Sequence, residues 1–192
     1  MAVILLSCLF HSSMARAHPH IFTHASVLVS FDESGLAGFK VNWMFDEMFT
    51  AMMMLDYDTN GNGKLESAEG ELVKKNAFDP IREYSYFTHV KIGNTPFPVK
   101  YITDFSSEII KNKLIYRFFI PCHVHAVDTF KEVKVSIYDK AFYTYFSLIS
   151  QPVGFEGDEK VCVDFRVEKN RDDAYYFDQI CPEEICLKFK YK

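Results

Sequence analysis

The stretch that most narrows the fold is Asp58-Thr59-Asn60-Gly61-Asn62-Gly63-Lys64-Leu65-Glu66-Ser67-Ala68-Glu69. Oxygen donors at alternate positions with glycine at the sixth have the form of an EF-hand calcium loop, which demands a helix on either side. Asp58, Asn60 and Asn62 fill the first, third and fifth positions, and Lys64 offers its backbone carbonyl at the seventh. Glu66 at the ninth acts directly or through water, and Glu69 at the twelfth supplies both carboxylate oxygens. Leu65 is the apolar residue that fixes the loop to its helices. A Gly/Asn-rich surface turn is the plainer alternative. The loop stands alone in the chain and its ligand charge is modest. The expectation is therefore a structural Ca2+ of the weak, extracellular-module kind rather than a switch.

The residues on either side of this loop change period. Phe39, Val41, Trp43 and Phe45 alternate with Lys40, Asn42 and Met44, the period of a half-buried strand. The turn Asp32-Glu33-Ser34-Gly35 joins this strand (36–45) to one over 18–30 as a hairpin. Asp46 caps a helix to about residue 56, in which Met48, Phe49, Met52, Met53 and Leu55 are apolar on most sides. Methionine clusters suit soft copper(I), but core filling is the expectation here. A second helix is expected over 67–76, ended or restarted by Pro80. Aromatic and β-branched runs then predict strands over 86–92, 97–105, 113–121, 132–138, 143–148 and 160–168. The expected fold is mainly β: a β-sandwich, immunoglobulin-like in broad architecture, with an EF-hand helix-loop-helix inserted at about 46–85.

At 192 residues, with 19 Phe and 11 Tyr, the chain has the apolar mass for one well-packed domain over 18–192. Its net charge of −5 leaves no basic stripe for nucleic acid. Residues 1–17 read as a signal peptide, with an apolar run from Val3 to Phe10 and a small-x-small site at Ala15-Arg16-Ala17. The run is too short to span a bilayer, so no stable membrane anchor is expected after cleavage. Loss of Arg16 takes the charge from −5 to −6. Export places Cys122, Cys162, Cys181 and Cys186 in an oxidising compartment, where two disulfides of open pairing are expected. The polar tail over 170–192 is expected to be strapped down by such a bond rather than by packing.

Cleavage after Ala17 exposes His18-Pro19-His20-Ile21-Phe22-Thr23-His24. Residues two apart on a strand share a face, which aligns His18, His20 and His24, and the α-amine of His18 adds a nitrogen. Such donors suit zinc, nickel, cobalt and copper, Ni2+, Co2+, Zn2+ or Cu2+, rather than calcium. Further candidates are His89, in Phe87-Thr88-His89-Val90, and His123 and His125. Neutral imidazoles bind metal and protonated ones do not, so affinity is expected to fall as pH drops through about 6.5. A frayed terminus with scattered histidines is the plainer alternative.

The His-Pro-His start, the segment Trp43-Met44-Phe45-Asp46-Glu47, the EF-like loop, Tyr86-Phe87-Thr88-His89-Val90 and Ser136-Ile137-Tyr138-Asp139 together resemble one bacterial family. It is the domain of unknown function one thousand and seven, also labelled an uncharacterised periplasmic component of an ABC-type transport system. The resemblance covers 18–168. It implies an exported, periplasmic metal-handling role linked to nickel, cobalt or zinc transport, an inner-membrane metal permease as partner, and His18, His20 and His89 as site residues. His24, His123 and His125 come from the residue reading alone. A second function class is a calcium-stabilised envelope module that recognises a protein partner without a transition-metal role. No His-Glu-x-x-His, nucleophile elbow or phosphate-binding glycine loop occurs, so an enzyme is not expected.

Overall fold

Alternation along residues 21–45 produces the central hairpin in a computed structural model that describes residues 19–192. The expected signal segment and His18 lie outside these residues. Strands β1 (Ile21–Asp32) and β2 (Gly35–Phe45) pair antiparallel, with Ala25 opposite Trp43 and Val27 opposite Val41. Helix α1 (Glu47–Tyr57) follows at once, because Asp46 accepts the Phe49 amide at 2.8 Å as an N-cap. The other Asp46 oxygen accepts the Phe22 amide at 2.7 Å, tying the start of α1 to the start of β1. Helix α2 (Ser67–Val73) opens with a reciprocal capping box between Glu66 and Glu69. It is shorter than its sequence suggests. A π turn over Lys74–Phe78 and 3-10 turns over Asp79–Phe87 replace its last residues.

The rest of the chain is strand: β3 (Thr88–Ile92), β4 (Thr95–Phe97), β5 (Thr103–Ile110), β6 (Lys113–His125), β7 (Lys131–Ile137), β8 (Thr144–Gly157), β9 (Val161–Lys169) and β10 (Glu183–Tyr191). They form two five-stranded sheets, β5-β6-β2-β1-β8 and β4-β3-β7-β10-β9. The protein is thus mainly β, with few helices. Val29, Phe39, Trp43 and Phe118 of one sheet and Val135, Leu187 and Phe189 of the other belong to a single buried core. Phe31 and Phe189 meet between the sheets at 5.3 Å. At the helical end Trp43 touches Phe118 and Phe146 at 5.0 Å, Phe78 at 6.0 Å and Phe87 at 6.2 Å. Each such ring pair contributes about 0.5–1.5 kcal/mol beyond its burial.

Several expectations change. β1 and β8 run parallel, whereas immunoglobulin-like sheets are antiparallel. The strand expected over 97–105 divides into β4 and β5, since Pro98 cannot donate to a ladder. The tail is held by packing: Ile185, Leu187 and Phe189 are buried in β10, which lies between β7 and β9. The four cysteines in the described residues are free thiols. Cys162 is opposite Lys190 while Cys186 is opposite Arg166, four residues apart along β10, or roughly 13 Å. A disulfide needs Cα atoms about 4.4–6.8 Å apart. Cys122 is buried on β6 and remains unbridged. The methionines are not mainly core filling either. In α1 Met53 is buried, but Met48 and Met52 are exposed.

Candidate functional site

The 58–69 loop is held by bonds among its own residues. Asp58 accepts the Asn62 amide at 3.1 Å and the Gly63 amide at 2.8 Å. Asn60 Oδ1 takes the Asn62 amide at 3.0 Å, and Asn62 Oδ1 takes that of Lys64 at 2.9 Å. The turn requires glycine at Gly63 for its backbone angle, φ +77°, since a Cβ there would meet nothing within 4 Å. Glu66 accepts the side-chain amides of Asn60 (3.3 Å) and Asn62 (2.9 Å). Glu69 is buried and spans the loop: Oε1 accepts the Thr59 amide and hydroxyl, both at 2.8 Å, and Oε2 accepts the Glu66 amide at 3.0 Å. Those donors, the Glu66 amide foremost, hold its carboxyl below the usual range. Leu65 packs against the core.

The histidines divide into three places. His89 is on the outward side of β3, between buried Thr88 and Val90. Its ring lies 4.0 Å from that of Tyr138, and Nε2–H donates to the Tyr138 carbonyl at 3.2 Å. A carbonyl only accepts, so this bond fixes the tautomer and leaves the lone pair on Nδ1. Burial lowers the His89 pKa and keeps the ring neutral. His89 opens onto a cavity of about 430 Å³ that Glu83, Tyr84, Asp139 and Lys140 also line.

Two local features build this cavity. Ser85, Tyr86 and Phe87 have φ of +55°, +50° and +48°, a left-handed turn of three non-glycine residues. Each costs about 1–3 kcal/mol, offset where Tyr86 stacks on Phe78 at 5.2 Å and Phe87 on Trp43. On the other side, Asp139 shapes the β7–β8 connection by accepting the amides of Ala141, Tyr143 and Thr144 at 2.9–3.1 Å.

His20 reaches the far end of that connection. Its amide donates to the Tyr143 carbonyl at 2.9 Å, and its ring lies 4.9 Å from that of Tyr143. His20 and His89 are thus bound to the same connection, at its two ends. His24 is elsewhere, on the outward face of the first sheet, where Nδ1 is 2.9 Å from Ser147 Oγ. His123 and His125 are farther still. His123 is 4.0 Å from Asp32 and His125 is opposite Gly35, both at the other end of twelve-residue β1, roughly 35 Å from His20. They form no common site with His20 and His89.

Among the described residues, the trio Glu168, Glu184 and Cys186 brings ligand atoms within 4.8 Å of one another; the loop carboxylates and the histidines form no such trio. Burial and the neighbouring Glu168 push the Cys186 thiol up to about 12, so it stays protonated as a donor to Glu168 (3.4 Å) and Glu184 (3.7 Å). Asn170 occupies the other Glu184 oxygen at 2.8 Å. This cluster satisfies itself. Sequence reasoning missed Glu83, Asp139 and the Tyr138 carbonyl. Tyr138-Asp139 marked a resemblance only, and nothing local ties Glu83 to His89.

No helix among the described residues is long and apolar enough to cross a membrane. The family model described as "Protein of unknown function (DUF1007)" matches residues 3–179, beyond the expected 18–168 at both ends. The chain is also similar to the "Uncharacterized 15.5 kDa protein in trpE 3'region" of Spirochaeta aurantia, 36% identical over 92 residues, which is 48% of this chain and 65% of that relative. Matched over most of its length, the chain belongs to the DUF1007 family of proteins of unknown function.

Proposed function

We propose that this chain is an exported, periplasmic metal-binding accessory protein that captures or delivers a divalent transition metal. Nickel, cobalt and zinc are the leading cargoes, copper a further one, and an inner-membrane metal permease is the partner. The observation that carries this reading is His89: a neutral imidazole, with Nε2–H on a carbonyl, in an open cavity that the Glu83 carboxylate also lines. Metal-binding histidines are commonly oriented in this way by a second group on the other ring nitrogen. His89 Nδ1, His20 and His18 with its α-amine would hold the ion, with Glu83 as an oxygen donor. Without the ion His20, His89 and Glu83 are not gathered within 4.8 Å of one another, so binding would draw the chain start in toward His89. Asp139 has its carboxylate committed to three amides and acts by shaping the connection. No catalytic step belongs to this reading.

The 58–69 loop is read as an EF-hand-like insertion for structural calcium. Asp58, Asn60, Asn62, the Lys64 carbonyl, Glu66 and Glu69 would hold the ion, which would brace the turn between α1 and α2. The donor set fits a hard cation, being oxygen throughout. Glu69 already joins both ends of the loop.

The test is calorimetric titration of the chain beginning at His18 with nickel, cobalt, zinc and copper. Micromolar or tighter binding of at least one ion is expected, lost in the variant His18→Ala/His20→Ala/His89→Ala. Unchanged binding by that variant overturns the assignment. A second reading, an envelope interaction module braced by calcium without a transition-metal role, is favoured by the exposed apolar side chains of α1.

A further inference from the structure

Helix α1 is apolar on two sides, and one of them has no partner in the fold. Thr50 and Met53 are buried beneath it, and Phe49 packs on Phe45 at 4.7 Å. On the opposite side Met48 is 68%, Met52 51% and Leu55 86% exposed. These residues have the spacing i, i+4, i+7, which at about 3.6 residues per turn makes one continuous stripe. Glu47 borders the stripe on one side and Asp56 on the other, and both are exposed. Every charged residue from 41 to 63 is acidic: Asp46, Glu47, Asp56 and Asp58. Lys111 shares a cavity with Glu47, Thr50 and Met54, on the flank away from Met52 and Asp56. An exposed apolar stripe with a charged rim marks an interaction surface, and flexible methionines adapt to a partner's side chains.

Charge decides the partner. A second copy of this chain would bring the same acidic rim against itself, and an anionic lipid surface would be repelled likewise. We propose that the outer face of α1 docks a basic amphipathic helix of another protein. Its apolar residues cover Met48, Met52 and Leu55, and its lysines or arginines face Glu47 and Asp56. This surface requires nothing of the histidines, and failure of either idea leaves the other standing.

The experiment uses fluorescence anisotropy with a labelled synthetic Leu/Lys peptide whose leucines recur at helical spacing, in millimolar calcium. A Leu/Glu peptide of the same pattern and anionic phosphatidylglycerol vesicles serve as comparisons. Saturable binding of the Leu/Lys peptide is expected, weakened about tenfold or more by Met48→Gln/Met52→Gln/Leu55→Gln. Glu47→Gln/Asp56→Asn should weaken it less and flatten its salt dependence. Leu55→Glu, a single change at the most exposed position, provides a variant whose folding is easily kept. Equal binding of the two peptides, undiminished binding by the apolar variants, self-association through this face, or vesicle binding without peptide binding would each overturn the proposal.

Discussion

The 58–69 loop and the His89 cavity differ in how they are assembled. The loop's hydrogen bonds begin and end within twelve consecutive residues, so its form is complete locally. The cavity draws Glu83 from the 3-10 turns, His89 from β3 and Asp139 from the β7–β8 connection. His20, from the chain start, does not line it and meets the same connection at Tyr143. A local site depends on its own spacing. A dispersed one depends on the core that brings its pieces together, here the ring cluster around Trp43, which touches both Phe78 and Phe87.

The strongest way to break this contrast is Trp43→Ala. It should cost about 3–5 kcal/mol in chemical denaturation. The variant should lose order at the His89 cavity, read by hydrogen exchange of β3, before the 58–69 loop loses its own. Equal loss in both regions would erase the distinction. Next in size, His20→Ala/His89→Ala should lower transition-metal affinity on the order of 100-fold without changing the calcium response. Glu69→Gln should do the reverse. If the loop is a weak calcium site, a tenfold excess over its dissociation constant stabilises the fold by about 1.4 kcal/mol, or roughly 3–6 °C in Tm. Glu69→Gln should abolish that shift, and an unchanged shift would remove Glu69 from the site.

The smallest effect is one of pH, measured in chelator. Burial lowers the His89 pKa in the folded protein, so on acidification the unfolded chain takes up a proton first. Stability should therefore fall as pH drops below about 6.5, and stop falling once the folded-state pKa is passed. His89→Gln should reduce that slope. For the same reason the His89 imidazole stays neutral to lower pH than an exposed histidine, so on the proposed reading metal loss at pH 6.5 should be only partial. A slope unchanged in the variant would show that His89 is not the titrating group.

The same local-versus-dispersed contrast governs what the sequence disclosed. The β1–β2 hairpin, the Asp46 cap and the Gly63 turn between α1 and α2 were legible because period, cap and turn chemistry act over a few residues. The parallel β1–β8 pair was not, since its partners are more than a hundred residues apart. β10 shows a different failure. Its buried Ile185, Leu187 and Phe189 have a clear period of two, but the nearby cysteines and charges drew attention to a disulfide strap. His89 was found by motif. Its tautomer depends on a carbonyl at Tyr138, a partner that no side-chain pattern announces.

The central claim is that His89 offers Nδ1 to a transition metal while Nε2–H stays on Tyr138. Nitrogen-15 NMR of the histidine-labelled chain beginning at His18, recorded before and after one equivalent of zinc, reads both ring nitrogens directly. The account predicts that the His89 Nδ1 resonance moves to a metal-bound position while Nε2 keeps its proton. Stoichiometric zinc binding with both His89 nitrogens unmoved would contradict it.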